Sequence, residues 1–354
     1  MTTKREAWLS ILPKDPRPWL LSSDEPSARF VTMTAVLGMS EDDADVRNAR
    51  KAVVADPAVR ALVDRLPGWE SGFTFSGHNS PGFPPNLLRL LHGLGVRPGD
   101  FTAIERLLDR MALHQADDGR YLTPGGATGK KDGAATWASL PCDHFAILEV
   151  LLLFGRRAAP GIQRGLARVR DTLDDTTQGI AWRCIPDPVA RWRGPGRKND
   201  ACLQVTVEAL RLFSLVPGPD RPKRIGEAAR TLLRAWRCRA EEKPYMFGHG
   251  RRFVAGKWPP TWYDASAVLE AVAPFPSVWK GKAASAEDRD SVAEIARGLA
   301  STVRPDGGVI PQSCYKGFES YSFGQKKLPS PWATARLCGF LRAFSPILVD
   351  PSHP

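Results

Sequence analysis

At 354 residues, with 43% hydrophobic and 25% charged content, the chain carries enough apolar material for a sizeable core, which excludes disorder over most of its length. The formal net charge is +11, but Lys and Arg are dispersed rather than gathered in one run, so the charge points to an anionic small ligand at least as well as to a polyanion and gives no specific sign of nucleic acid. Six irregularly spaced cysteines are too few for a disulfide framework, no apolar run approaches the roughly 20 residues of a membrane span, and the polar opening through Glu6 is no signal peptide, so the expectation is a cytoplasmic protein without a transmembrane segment.

In chain order, residues 1–19 form a Pro-rich lead-in, expected at the periphery, followed by a single repeat-built domain over 20–347 and a tail over 348–354. Ser22-Ser23-Asp24-Glu25-Pro26 opens a helix carrying Phe30, Met33 and Leu37, which Gly38 ends. Val46, Ala49 and Val53, then Val59, Leu62, Val63 and Leu66, read as helix broken at Pro57 and stopped at Pro67. A unit then recurs. Phe101, Ile104, Leu107, Leu108 and Met111 form a one-sided stripe, repeated by Ile162, Leu166, Val169 and Leu173, by Ile225, Ala229, Leu232 and Trp236, and by Val292, Ile295, Leu299 and Val303. Each is followed by a turn (Asp117-Asp118-Gly119, Asp174-Asp175, Asp306-Gly307-Gly308) and a more uniformly apolar helix. Those helices are 145–154, 201–213, 263–272 and 332–344, with 86–94 as an earlier, shorter member.

A helix that is apolar around its circumference must be enclosed. Alternation of one-sided and enclosed helices every 50 residues or so predicts an all-α fold, an (α/α) toroid of about six helical hairpins with amphipathic outer and buried inner helices.

The turn Gln115-Ala-Asp-Asp-Gly119-Arg-Tyr121 is similar to the Gln-x-x-x-Gly-x-Trp signature of squalene and hopene cyclases, with Tyr in place of Trp, and Gln178-Gly179-Ile-Ala-Trp182 and Arg304-Pro-Asp-Gly-Gly308 look like degenerate copies. Over about residues 20–345 the chain resembles the α/α-toroid superfamily of terpenoid cyclases and protein prenyltransferase β-subunits, and more closely uncharacterised bacterial squalene-cyclase-like proteins. The resemblance implies an apolar, isoprenoid-like substrate. It departs from the family at the acid: where class II cyclases carry Asp-x-Asp-Asp, this chain has Thr172-Leu173-Asp174-Asp175, and the aspartate pair reads as a repeat turn.

Three cysteines, Cys142, Cys184 and Cys202, stand at or just before enclosed-helix starts. Laying Glu149 on Glu208 and Glu270 superposes Asp143, Cys202 and Asp264. Thiolates suit zinc, and three protein ligands leave a fourth position for His144, Asp143, Asp264 or a substrate. The resemblance implies zinc at the equivalent region of prenyltransferases, though with a different ligand set. The alternative is that these are small buried apolar residues, as assigned to Cys238, Cys314 and Cys338. The loop bearing His249, Arg251, Arg252 and Lys257 offers guanidinium forks for a diphosphate or carboxylate. Trp182, Trp262 and Tyr263 are candidates to line an apolar cavity, or to wedge hairpins together. Two functions stand side by side. One is a zinc-dependent transferase or cyclase on an isoprenoid or other apolar substrate with an anionic head, using Asp264, Asp143 and His249 as catalytic groups. The other is a non-catalytic, zinc-stabilised toroid module that binds a peptide or lipid.

Overall fold

A computed structural model describes residues 6–70, 77–124, 137–187, 194, 197–244, 247, 250–261 and 264–348, with the side chains of 250–252 excepted. The described chain is predominantly α-helical and built of helical hairpins of the (α/α)-toroid kind; its one sheet is a two-stranded hairpin. Two compact units emerge, one comprising Met1–Arg60, Gly93–Val96 and Trp236–Pro354, the other Ala61–His92 and Arg97–Ala235.

In the second unit the outer helix Thr102–Leu113 buries Ile104, Leu107, Leu108 and Met111, the stripe that its 3.6-residue spacing dictates. The outer helix Ile162–Asp171 does likewise with Ile162, Gly165, Leu166 and Val169. Between them runs Pro141–Leu153, in which every residue from Cys142 to Leu152 is buried. It packs on both outer helices and on a second enclosed helix, Leu203–Ser214, which buries Leu203 to Phe213. With each fully buried Leu, Ile, Val or Phe contributing about 1.5–3 kcal/mol, these two helices dominate the core of the unit.

The recurrent Gln and Gly turns lock successive repeats together. Gln115 donates from Nε2 to the carbonyls of Gly119 and Gly161, both at 2.9 Å, joining its own turn to the start of the next outer helix. Gly119 has φ +90°, and a Cβ there would lie 2.7 Å from the backbone oxygen of Arg164, so only glycine fits. Gly179, at φ +127°, sits against the Thr231 side chain, whose Oγ1 would lie 2.8 Å from a Cβ there. One expectation shifts here. Asp174 and Asp175 occupy not a turn but the strand Leu173–Thr176, paired antiparallel with Gly179–Trp182, because the reversal falls three residues later at Thr177-Gln178. The two aspartates pair with Arg183 and Arg224 on the surface, which is a structural use and not that of an initiating acid.

In the first unit, Ala265–Val272 packs on Ala286–Ala300 and on Pro331–Ala343, and the last of these also contacts Pro26–Val31. The lead-in, expected at the periphery, instead buries Trp8, Leu9 and Leu12 and contacts the short helix Ser345–Leu348. Its apolar pair and the leucine one turn later supply a small amphipathic face that the surrounding prolines obscured.

Candidate functional site

Cys142 and Cys202 lie at the N-terminal ends of two enclosed helices of the second unit. Pro141 starts its helix one turn earlier than the apolar run suggested, which puts Cys142 in the first turn and Asp143 at the third position. Asp143 reaches back with Oδ2 to accept the Leu140 N–H at 3.0 Å. Cys202 is the N-cap residue of Leu203–Ser214, and its N–H donates to the Trp182 carbonyl at 2.9 Å, fastening it to the end of the hairpin. Cys184 follows that hairpin by two residues, its Sγ accepting from the Gly194 N–H at 3.0 Å.

Cys142 is buried, while Cys184 and Cys202 are partly exposed. The Cys184 and Cys202 thiols are hydrogen-bonded to each other; that bond, with burial, pushes Cys202 well above the usual thiol range. Burial likewise raises Cys142, and the charges of Glu208, Cys184 and Asp143 raise it further. Among the described residues, no three His, Cys, Asp or Glu side chains are grouped tightly enough to hold a metal ion as they stand.

A histidine that sequence reasoning passed over stands beside Asp143. His78 sits in the turn before the enclosed helix Pro84–Leu94, and its Nδ1 lies 3.4 Å from Asp143 Oδ1. Burial pulls the imidazole down, but Asp143 more than offsets it, with smaller contributions from Glu208 and Cys184, so its affinity for a proton is raised. Asn86 holds the turn by donating from Nδ2 to the carbonyls of His78 and Ser80, both at 2.8 Å. The one sign available in the sequence was position: like the cysteines, His78 lies just upstream of an enclosed helix.

The helices Pro141–Leu153, Leu203–Ser214 and Pro84–Leu94 together carry a buried ionic quartet. Arg89 Nη2 reaches Glu149 Oε2 at 2.5 Å and Glu208 Oε2 at 2.8 Å, and Arg211 Nη2 meets Glu208 Oε1 at 3.2 Å. Burial would raise Glu208, yet Arg89 and Arg211 outweigh it and hold the carboxyl below its usual range; in Glu149 burial prevails and the carboxyl is raised. Two guanidiniums against two carboxylates leave the network neutral, the condition on which such charges tolerate burial.

The remaining expected residues fall elsewhere. His144 has both ring nitrogens bound to the backbone: Nδ1 accepts the Tyr121 N–H at 3.1 Å and Nε2 donates to the Gly165 carbonyl at 3.3 Å. Burial holds it neutral, with its pKa lowered to about 3. As a fourth metal ligand it would have to give up one of those backbone bonds. Trp182 is fully buried, donates to Val169 O at 2.7 Å, stacks on Phe213 and meets Phe145 edge-on, so it wedges the hairpin against the enclosed helices instead of facing a cavity.

In the first unit, Asp264 is the N-cap of Ala265–Val272, its Oδ1 accepting from the Ala267 N–H at 2.9 Å and the Ser266 hydroxyl at 2.6 Å. It lines a narrow pocket with Trp258, Gln312 and Arg336. Exposed Lys257 holds its Nζ 3.9 Å from the Tyr315 ring centroid. Arg251 and Arg252 belong to the short helix Gly250–Ala255, with side chains outside the described residues, and His249, Trp262 and Tyr263 lie outside them altogether.

No family model and no curated protein matches this chain. Solved structures similar to it include the apo type II terpene cyclase MstE from Scytonema, at TM-score 0.45 and 17% identity, covering 92% of this chain and 88% of that one. An unsaturated glucuronyl hydrolase specific for heparin aligns at TM-score 0.47 and 13% identity over 94% and 87%, and a protein from Actinoplanes at 0.42 and 16% over 90% and 89%. No helix among the described residues is long and apolar enough to cross a membrane.

Proposed function

We propose that the protein is a zinc-stapled (α/α)-toroid module that binds a small or lipid-like ligand with an anionic head, working in a reducing cytoplasm that keeps its thiols free. What supports this reading is the place of Cys142, Cys184 and Cys202 at a helix first turn, after the hairpin and at a helix N-cap, with the Cys184 and Cys202 thiols hydrogen-bonded to each other. Thiolates are the donors zinc favours, and ligands drawn from three separate segments make metal binding a fastening of the fold. The anionic head is suggested by Lys257, held against Tyr315, and by Arg251 and Arg252 just upstream in the chain.

The catalytic reading, a zinc-dependent transferase or cyclase on an isoprenoid substrate, keeps one supporting observation: the His78–Asp143 pair beside the thiols has the form of an oriented general base. In that version a bound zinc would supply Lewis acidity at the thiolate set, while Asp143 would steady the His78 ring through Nδ1 and favour its protonated form.

Elemental analysis of protein purified without chelator tests the zinc. About one equivalent in wild type, lost in the Cys142→Ser/Cys184→Ser/Cys202→Ser variant, is expected. Absence from wild type, or retention by the triple variant, removes the site. Titration with farnesyl and geranylgeranyl diphosphate then separates the two functions. Binding that weakens in Arg251→Ala and Lys257→Ala without turnover is the expected result, whereas turnover would establish the enzyme and overturn the module.

A further inference from the structure

We infer that the second unit holds a binding cavity for a small carboxylate with a short apolar body, and that Arg168 is the side chain that receives its anionic end. The site involves no thiol and no residue of the loop around Lys257, so it stands apart from the zinc reading. The cavity, of about 100 Å³, lies where the last turn of the outer helix Ile162–Asp171 meets the start of the enclosed helix Pro141–Leu153, the 115–121 turn and the segment that follows the hairpin. Pro141, Phe145, Ile185 and Pro186 give it apolar walls, and Arg120 and Arg168 supply its charge. A cavity of about 150 Å³ accommodates benzene, so this one takes roughly four or five non-hydrogen atoms, the size of propionate.

The polar groups that line the cavity are committed elsewhere, with one exception. Arg120 donates from Nε to Asp118 Oδ2 at 2.8 Å and from Nη1 to Asp187 Oδ2 at 2.7 Å. Asp187 also accepts the Ser139 N–H at 2.9 Å, so the Arg120 guanidinium is fastened into the fold. The Ser139 hydroxyl donates to the Leu140 carbonyl at 3.1 Å, and the Thr172 hydroxyl is shared between the carbonyls of Arg168 and Val169, each at 3.0 Å. His144 is neutral, with both ring nitrogens on backbone partners. The Arg168 guanidinium makes no hydrogen bond among the described residues. Its ion-pair partner, Asp118 Oδ2, stands at 3.8 Å, beyond hydrogen-bond length, and that oxygen is already held by Arg120. At 34% exposure the Arg168 side chain is partly withdrawn from water, and its planar fork matches the two oxygens of a carboxylate. A phosphate would turn its remaining oxygens towards the apolar walls and lose their hydration, whereas a carboxylate presents only carbon there.

Titration of the full-length protein with propionate, followed by saturation transfer in the proton spectrum of the ligand, provides the test. Wild type is expected to bind propionate saturably, and acetate roughly fourfold more weakly for the methylene it lacks. The neutral isostere propionamide should bind at least about tenfold more weakly, and Arg168→Met should lower propionate affinity by a similar factor. Arg168→Lys should recover part of that loss, since it keeps the charge without the fork. Ile185→Trp, which fills the cavity and leaves Arg168 in place, should abolish saturable binding. Because Arg168 has no side-chain hydrogen bond to lose, its variants should keep the wild-type melting temperature, which separates loss of the site from loss of the fold. The assignment fails if propionate does not bind saturably, if propionamide binds as well, or if Arg168→Met binds as wild type does. Unchanged affinity in Ile185→Trp would reduce the contact to a surface ion pair, and inorganic phosphate binding more tightly than propionate would give the cavity another ligand; either result overturns it.

Discussion

The starts of two enclosed helices, one in each unit, share a sequence pattern but differ in what it does. In both, an aspartate precedes a glutamate by six residues, Asp143 before Glu149 and Asp264 before Glu270. Ala265 begins its helix immediately after Asp264, which makes that aspartate an N-cap whose Oδ1 takes both local donors. Pro141 begins its helix two residues before Asp143, so the carboxylate falls inside the first turn, where one oxygen completes the helix end and the other faces His78. The glutamates diverge in the same way. Glu149 belongs to a buried quartet with Arg89, Glu208 and Arg211, whereas Glu270, 40% exposed, meets Arg336 at 3.9 Å. A proline shifts the register of a helix start, and the shift converts a capping residue into one available to a site.

The largest effect that would sharpen this contrast concerns the quartet. Arg89→Met leaves two buried carboxylates facing a single guanidinium and should cost about 3–5 kcal/mol in chemical denaturation. Its counterpart Arg336→Met should cost within about 1 kcal/mol, because Glu270 remains solvated. Equal losses in the two variants would show the regions to be energetically alike.

Next in size is a pair of opposite pH responses. His144, held neutral with a pKa lowered to about 3, binds no proton in the folded state as pH falls below about 6.5, whereas the unfolded chain does. Stability should therefore fall with acid at up to about 1.4 kcal/mol per pH unit between those values, and His144→Gln should flatten that part of the profile. Asp264 is raised by burial, despite the bonds from Ser266 and Ala267 that favour its charged form. The folded state there keeps a proton that the unfolded state has lost, so its contribution is present in acid and disappears as pH rises from about 3.9 through the folded value. Asp264→Asn should remove that dependence. Denaturation midpoints across pH measure both responses, and slopes of the same sign would contradict the assignment.

Smaller again is the cap itself. Asp264→Ala should cost about 1–2 kcal/mol by losing the N-cap acceptor, with the larger figure reflecting its burial. Asp143→Ala should cost a similar amount, since it removes both the acceptor for the Leu140 N–H and the partner of His78, and it should lower the proton affinity of His78, which Asp264→Ala leaves intact.

The fold was legible because enclosed and one-sided helices differ in periodicity, and Ile104, Leu107, Leu108 and Met111 buried themselves as their spacing required. The repeated Gln and Gly turn was legible as a motif, and the structure supplies its cause in the contact of Gly119 with Arg164 and of Gly179 with Thr231. The cysteines stood out by their place at helix starts. His78 did not, since a turn of Gly77-His78-Asn79-Ser80 has no period to betray which side chain points inward. Arg89 and Arg211 were hidden for a related reason: an arginine on an apolar helix reads as a solvent contact, and only the tertiary partner reveals the pair. Asp174 and Asp175 misled by composition, which marks a reversal but does not fix its residue within a few positions.

The continuous burial of the 141–153 helix from Cys142 to Leu152 bears on how the second unit opens. A helix with a solvent face can lose a turn at a time, each amide exchanging its hydrogen through a small local fluctuation. This one has no face along which a turn can detach without exposing side chains on its neighbours. Its amides should therefore exchange with deuterium at nearly uniform rates along the segment, governed by the free energy that opens the whole unit, while those of Thr102–Leu113 should spread over a wide range.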